Sequence, residues 1–364
     1  IGALFSPDKG VPSGGGSPAG DSRGGKNRLV EVYKDGRLLQ RFEKVFQRKN
    51  LDRILSSEGR ITVRTRLCNS VASLFIGQRN WGAFGVENKG RLVDAEMESG
   101  YEGKPFVTAI RIYSDDDARV VVKDIILPRF VDTDTGKIVH TWSNMLTSTS
   151  LKKVMSAHPK VTLLKHHLNP YGELKFGRKS PNQTWVTFGD YPYAEVEVML
   201  ERGADGEAFV TRVNILKDDG TSEEKIFAKL VDPVSGEILA SWFNALRAEA
   251  LIDIIKKHPM VILKNGFTSS DGSISFGRAS GTNVWAKFTG FENRFYDAVV
   301  ERGIDDMPFV TSIKLYAEGH ISGGTVEKEE IFSKLCLPDT GKIVHSWYGA
   351  LTGERFSGLL RRHG

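Results

Sequence analysis

The middle third of the chain alternates apolar and charged positions. Val196, Val198 and Leu200 interleave with Glu195, Glu197 and Glu201, and only Met199 breaks the polar face. A period of two with β-branched residues predicts a half-buried antiparallel strand. Runs of the same character, separated by Gly, Asp and Asn, place strands near 160–165, 173–178, 184–189, 194–201, 208–216, 224–231 and 237–241. Asp218-Asp219-Gly220 and Val234-Ser235-Gly236 are tight-turn signals between them. The period then changes. Trp242, Leu246, Leu251, Ile254 and Ile255 mark one face of a helix, with Asp253, Lys256 and Lys257 largely off it, and His258-Pro259 closes it.

This stretch recurs. Gly136 to Trp142 runs on to Leu146, Leu151, Val154 and His158-Pro159, and Gly341 to Trp347 runs on to Leu351, Phe356, Leu359 and His363. A more divergent copy, Gly36 to Phe42 with Phe46, Leu51 and Ile54, predicts a first helix at about 41 to 57. Between the copies a strand block keeps its register: Phe176-Gly177-Arg178, Trp185, Phe188, Glu201-Arg202-Gly203 and Phe209-Val210-Thr211 recur exactly one hundred positions later, and more loosely from Phe75 to Thr108. Trp81, Trp185 and Trp285 share one repeat register, and Trp142, Trp242 and Trp347 share the other, so these six read as structural anchors.

The expected fold class is α+β: three tandem modules, each an antiparallel sheet or partly open barrel of about seven strands followed by one amphipathic helix. They fall at 60–159, 160–259 and 260–364, with an extra hairpin-helix element at 28–59. The opposite phase, helix first, would leave the surplus element at the C-terminus, and periodicity does not choose between the two. Residues 1–27 are rich in Gly, Ser and Pro and read as a disordered tail.

Composition changes this picture little. With 40% hydrophobic and 26% charged residues the chain has ordinary globular values. The net charge of +5 comes wholly from residues 1–60, which hold 12 Lys and Arg against 7 Asp and Glu. The repeats themselves are balanced and carry no general bias toward a polyanion. Cys68 and Cys336 sit in non-equivalent repeat positions, which indicates neither a disulfide framework nor a metal site. No apolar run reaches the roughly 20 residues of a membrane helix, so no membrane partner is expected. The chain opens on Ile rather than Met, so its targeting is unknown, with secreted and organellar locations both open.

Candidate chemistry is sparse. His158, His258 and His363 follow each helix and read as helix-terminating cations. His140 and His345 share a strand register that Ala240 fills in the middle copy. Asp115-Asp116-Asp117 lacks the glutamate of a calcium loop and reads as a turn. Glu201-Arg202 and Glu301-Arg302 suit a surface ion pair or a recognition edge. No phosphate loop, zinc spacing or nucleophile elbow is present, so no catalytic residue, cofactor or metal is assigned. The loops 176–185 and 276–285 combine arginine, amides, hydroxyls and aromatics, a mixture that can stack on single-stranded nucleic acid or simply close a hairpin. The third module carries a longer loop, Ala317 to Thr325, and exposed insertions often recognise partners. Arg178, Lys179, Arg278 and His320 are the expected partner-binding residues.

Trp142 to Val154 and Trp242 to Ile254 resemble the tryptophan-bearing helix of tandem WY-type oomycete effectors, over about fifteen residues per copy. The resemblance implies a secreted virulence protein that targets host proteins. That family is helical throughout, and the strand-rich blocks here depart from it. The functional expectation is a non-enzymatic modular repeat protein that binds a macromolecular partner, a protein first, through exposed loops. Single-stranded RNA or DNA binding and the effector role are the alternatives.

Overall fold

The computed structural model describes residues 29–43, 45–115, 117–143, 145–178, 183–278 and 283–363. The expected tail, 1–27, lies outside them. The strand-rich α+β class holds: the described residues form three six-stranded antiparallel sheets, four two-stranded hairpins and four α-helices.

The chain divides into two compact units, one comprising the residues up to Arg129 with Gly136–Leu151 and the other Phe130–Thr135 with Lys152 onward. In the first unit, β1 (Val30–Lys34), β2 (Arg37–Phe42), α1 (Arg48–Glu58) and β3 (Arg60–Arg66) precede β4 (Ser73–Ile76), β5 (Arg79–Ala83), β6 (Leu92–Ser99), β7 (Pro105–Tyr113) and β8 (Val121–Ile126). The sheet runs β2-β1-β3-β6-β7-β8, and β4 and β5 form a separate hairpin. Leu51, Ile54 and Leu55 of α1 are buried in one core with Ile61, Val93, Met97 and Ile110. The helix therefore packs on the sheet that follows it.

The pattern repeats with β9 (Arg129–Asp132), β10 (Ile138–Thr141), α2 (Ser148–Ala157), β11 (Lys160–His167), β12 (Glu173–Leu174), β13 (Val186–Thr187), β14 (Glu195–Arg202), β15 (Ala208–Leu216) and β16 (Ser222–Ile226). It repeats again with β17 (Ala228–Val231), β18 (Ile238–Trp242), α3 (Ala248–Lys257), β19 (Met260–Phe267), β20 (Ser273–Ile274), β21 (Ala286–Lys287), β22 (Phe295–Arg302), β23 (Pro308–Tyr316) and β24 (Val326–Ile331). This third sheet runs β18-β17-β19-β22-β23-β24. Beneath it Leu251 and Ile255 of α3 are fully buried with Val261, Leu263, Val300 and Ile313. What remains is a two-stranded hairpin, β25 (Ser333–Cys336) and β26 (Ile343–Trp347), and α4 (Gly353–His363).

The sheets are thus built in the opposite phase to modules at 60–159, 160–259 and 260–364. The 28–59 hairpin and helix belong to the first sheet, and the half-repeat stands at 333–363. Each sheet has six strands, with a small hairpin apart from it, in place of a continuous set of seven. The strand expected at 224–231 is split at Phe227, whose N–H bonds to the Thr211 carbonyl at 3.0 Å while its ring is buried. Phe332 repeats the arrangement on Thr311. At each break the chain leaves one sheet and enters the next. The helices also start later than expected: Phe42 and Trp242 end strands, paired with Val30 and Ala228, and the helices begin at Arg48 and Ala248. The segment resembling a tryptophan-bearing helix accordingly carries its tryptophan ahead of the helix.

Successive elements join at a glycine. Gly203 forms a parallel bridge to Ile238, and a Cβ on it would lie 2.3 Å from the Ile238 carbonyl oxygen; Gly303 approaches the Ile343 carbonyl, and Gly100 that of Ile138, as closely. The glutamate two residues earlier pairs with a cation beside the joint: Glu98 with Arg129 at 3.8 Å, Glu201 with Lys229 at 2.8 Å, and Glu301 with Lys334 at 3.1 Å. Such half-exposed pairs contribute at most about 1 kcal/mol each. They fix register more than they add stability.

Candidate functional site

The Phe-Gly-Arg loops turn inward. Gly277 has φ +54°, a left-handed conformation suited to glycine, and a Cβ there would sit 2.4 Å from a Leu251 methyl. Its N–H bonds to the Leu246 carbonyl at 2.9 Å. The arginine that follows lies over its own tryptophan: the Arg278 guanidinium carbon is 3.4 Å from the Trp285 ring centre, and Arg178 is 3.5 Å from that of Trp185. Each tryptophan donates its indole N–H to a loop carbonyl, Trp285 to Phe276 at 2.9 Å and Trp185 to Phe176 at 2.8 Å. Arg79 on Trp81 is the looser first-unit version, at 4.4 Å. Burial pushes the pKa of Arg178 and Arg278 down, though a guanidinium remains charged.

One face of Trp185 and of Trp285 is thus taken by an intramolecular cation–π contact. The described ends of these loops pack on their own modules. Lys179, the fourth residue of that expectation with His320, lies outside the described residues. His320 is exposed, but its Nδ1 accepts the Thr325 N–H at 3.3 Å, so its ring folds across its own loop. Asp297 ties the loop down, accepting from Ser322 and from Tyr316, each at 2.8 Å. The structure does not gather Arg178, Arg278 and His320 into one site.

The helix-terminal histidines have a partner the sequence reading missed. His158 Nδ1 is 2.9 Å from Asp132, and His258 Nδ1 is 2.8 Å from Asp232. Backbone N–H groups of Ser235 and Val234, with His258, hold Asp232 at about 2. The aspartate recurs twenty-six residues before each histidine, a spacing visible in the sequence. Leu337 stands there before His363, so the last copy lacks the pair.

A cleft of about 1010 Å³ opens where the half-repeat meets the third sheet, within the second unit. Arg278 and Trp285 form one wall, the turn Ile304–Asp306 with Phe309 another, and β26 and α4 the third. Ile343, His345 and Trp347 alternate onto one face of β26. The His345 and Trp347 rings stack at 6.0 Å and 15°. His345 Nε2 is buried and has no hydrogen-bond partner among the described residues. Burial, then the positive charges of Arg355 and Arg362, hold its pKa below the usual imidazole range. Four arginines, Arg278, Arg355, Arg361 and Arg362, line the cleft against two carboxylates, Asp305 and Glu354.

None of Arg355, Arg361 and Arg362 was singled out from the sequence. The signal lay in the contrast between copies: counting from the tryptophan, Arg355 replaces Ala250, His345 replaces Ala240, Gly358 replaces Asp253, and Arg361 and Arg362 replace Lys256 and Lys257. Among the described residues no group of three or more His, Cys, Asp or Glu is placed to hold a metal ion, and no helix is long and apolar enough to cross a membrane. The chain matches no protein-family model, no curated protein and no solved structure.

Proposed function

We propose that the chain is a non-enzymatic modular repeat protein that binds a protein partner through its exposed loops, first the longer loop Ala317–Thr325 of the third sheet. The observation that carries this reading is an exposed insertion on a fixed base: Ser322 and Tyr316 donate to Asp297, each at 2.8 Å, while Glu318 and His320 stay exposed. A loop already held in one conformation loses little entropy on meeting a partner.

The test is affinity capture with the native chain beside a Glu318→Ala/His320→Ala variant of equal thermal stability. A protein retained by the native chain and lost by the variant supports the reading. The same proteins retained by both would refute it.

A further inference from the structure

We propose that the cleft between the Arg278 and Trp285 side chains and α4 binds a small phosphate monoester, with Arg355 and Arg362 gripping the phosphate and the aromatic walls receiving the organic body.

Helix electrostatics explain only part of the arginine set. Arg361 and Arg362 lie in the last turn of α4, where cations offset the free carbonyls. Arg355 lies in the first turn, where the dipole opposes a cation, so helix stability does not account for it. Residues 355 and 362 are two turns apart and share a face. That face differs from the one bearing Phe356 and Leu360, which do not line the cleft.

Four guanidinium groups against two carboxylates leave two positive charges in surplus, the complement of a phosphate monoester dianion. Guanidinium forks fit phosphate oxygens in pairs. His345 supplies the second requirement. A buried nitrogen without a partner is costly, and the neutral tautomer carrying its proton on Nε2 can donate to a phosphate oxygen. Arg278 is poised similarly: its Nε is buried and unpartnered among the described residues, with its plane fixed on Trp285. Ile252, Met307, Phe309 and Trp347 give the cleft an apolar lining against which a ring or short chain can rest. The Arg278 part repeats in the middle copy, where Arg178 lies on Trp185 with its Nε likewise buried, but Ala240 and Ala250 stand there for His345 and Arg355, so the phosphate grip belongs to the last copy alone.

The test is calorimetric titration of the full chain with AMP, inorganic phosphate and adenosine, on the native protein and on Arg355→Ala/Arg362→Ala, with Lys256→Ala/Lys257→Ala on α3 as control. AMP is expected to saturate one site, inorganic phosphate to compete for it, and adenosine not to bind. The α4 variant should weaken AMP at least one-hundred-fold with thermal unfolding unchanged, the α3 variant less than three-fold, and Arg355→Lys/Arg362→Lys should recover part of the loss. Proton NMR of His345 gives an independent readout. The charged and titratable groups lining the cleft with it are Arg355, Arg361, Arg362, His363 and Glu354 of α4, Arg278 beside Trp285 and Asp305 of the turn, and a bound dianion among them should raise its pKa. Absence of saturable AMP binding, equal affinity in the α4 variant, an unmoved His345 titration, or tighter binding of a single-stranded oligonucleotide than of AMP would each overturn the proposal.

Discussion

Gly303 lies so close to Ile343 that a Cβ would fall 2.3 Å from the Ile343 carbonyl oxygen, with Phe309 ring carbons at 2.3 and 2.5 Å. Its φ of −105° is open to any residue, so the requirement for glycine is one of space. The joint that seats the half-repeat therefore depends on a missing methyl group. Gly303→Ala should lower stability by about 1–3 kcal/mol, the usual cost of overpacking. Amide exchange should quicken in β26 and α4 and stay unchanged in β22. An unaltered exchange pattern would mean that the hairpin is not seated on this glycine.

A second glycine is explained by its cross-strand neighbour. Gly266 stands opposite Tyr296, and its Cβ would lie 2.4 Å from the buried ring; in the preceding module His166 stands opposite Val196 in the same register. Volume is conserved while its source switches strands. Gly266→His should cost several kcal/mol by overpacking, about 3 or more. Adding Tyr296→Val should return most of it, as a double-mutant cycle by urea unfolding would register.

Acid should weaken the second unit through His166. Burial, with the charge of neighbouring His167, pushes this imidazole down to about 4, against an ordinary value of 6.5. The unfolded chain takes up the proton first as pH falls through 6.5, and the folded chain follows only near pH 4, so stability drops across that window and is complete above it. The loss reaches about 2.5 kcal/mol at pH 4.5 by linkage. His166→Leu should flatten this segment of the urea-unfolding pH profile. A profile as steep as that of the native chain would assign the acid sensitivity elsewhere.

The repeats were legible because their anchors are large and keep fixed spacing, as the two tryptophan registers are. Their phase was not, since an internal hairpin touches both neighbours: β17 pairs forward with β19 while Ile238 of the same hairpin bridges back to Gly203. The helix start was misplaced because Trp242 and Leu246 satisfy a helical spacing, although Trp242 pairs with Ala228 across a ladder formed by residues fourteen positions apart. The Phe-Gly-Arg loops drew attention as polar and aromatic, but their arginines lie on their own tryptophans. The cleft arginines were hidden in a helix whose last turn looks like an ordinary basic terminus.

Equivalent core positions should respond unequally to truncation. Leu251→Ala removes a side chain with no exposure and should cost about 2–5 kcal/mol. Phe356→Ala removes a larger side chain from a half-open face and should cost under about 1 kcal/mol. Thermal or urea unfolding of the two variants makes the comparison. Equal losses would place Phe356 in a covered core.

The helix-first phase and the open half-repeat meet in one observable, amide hydrogen exchange along the purified monomeric chain. Segments containing Leu230 and Leu251–Ile255 should be protected to the level of global unfolding. Segments containing Leu335 and Phe356–Leu360 should exchange at least one-hundred-fold faster. Equal protection of the two sets would contradict the helix-first phase, in which each hairpin and helix is covered by the sheet that follows it.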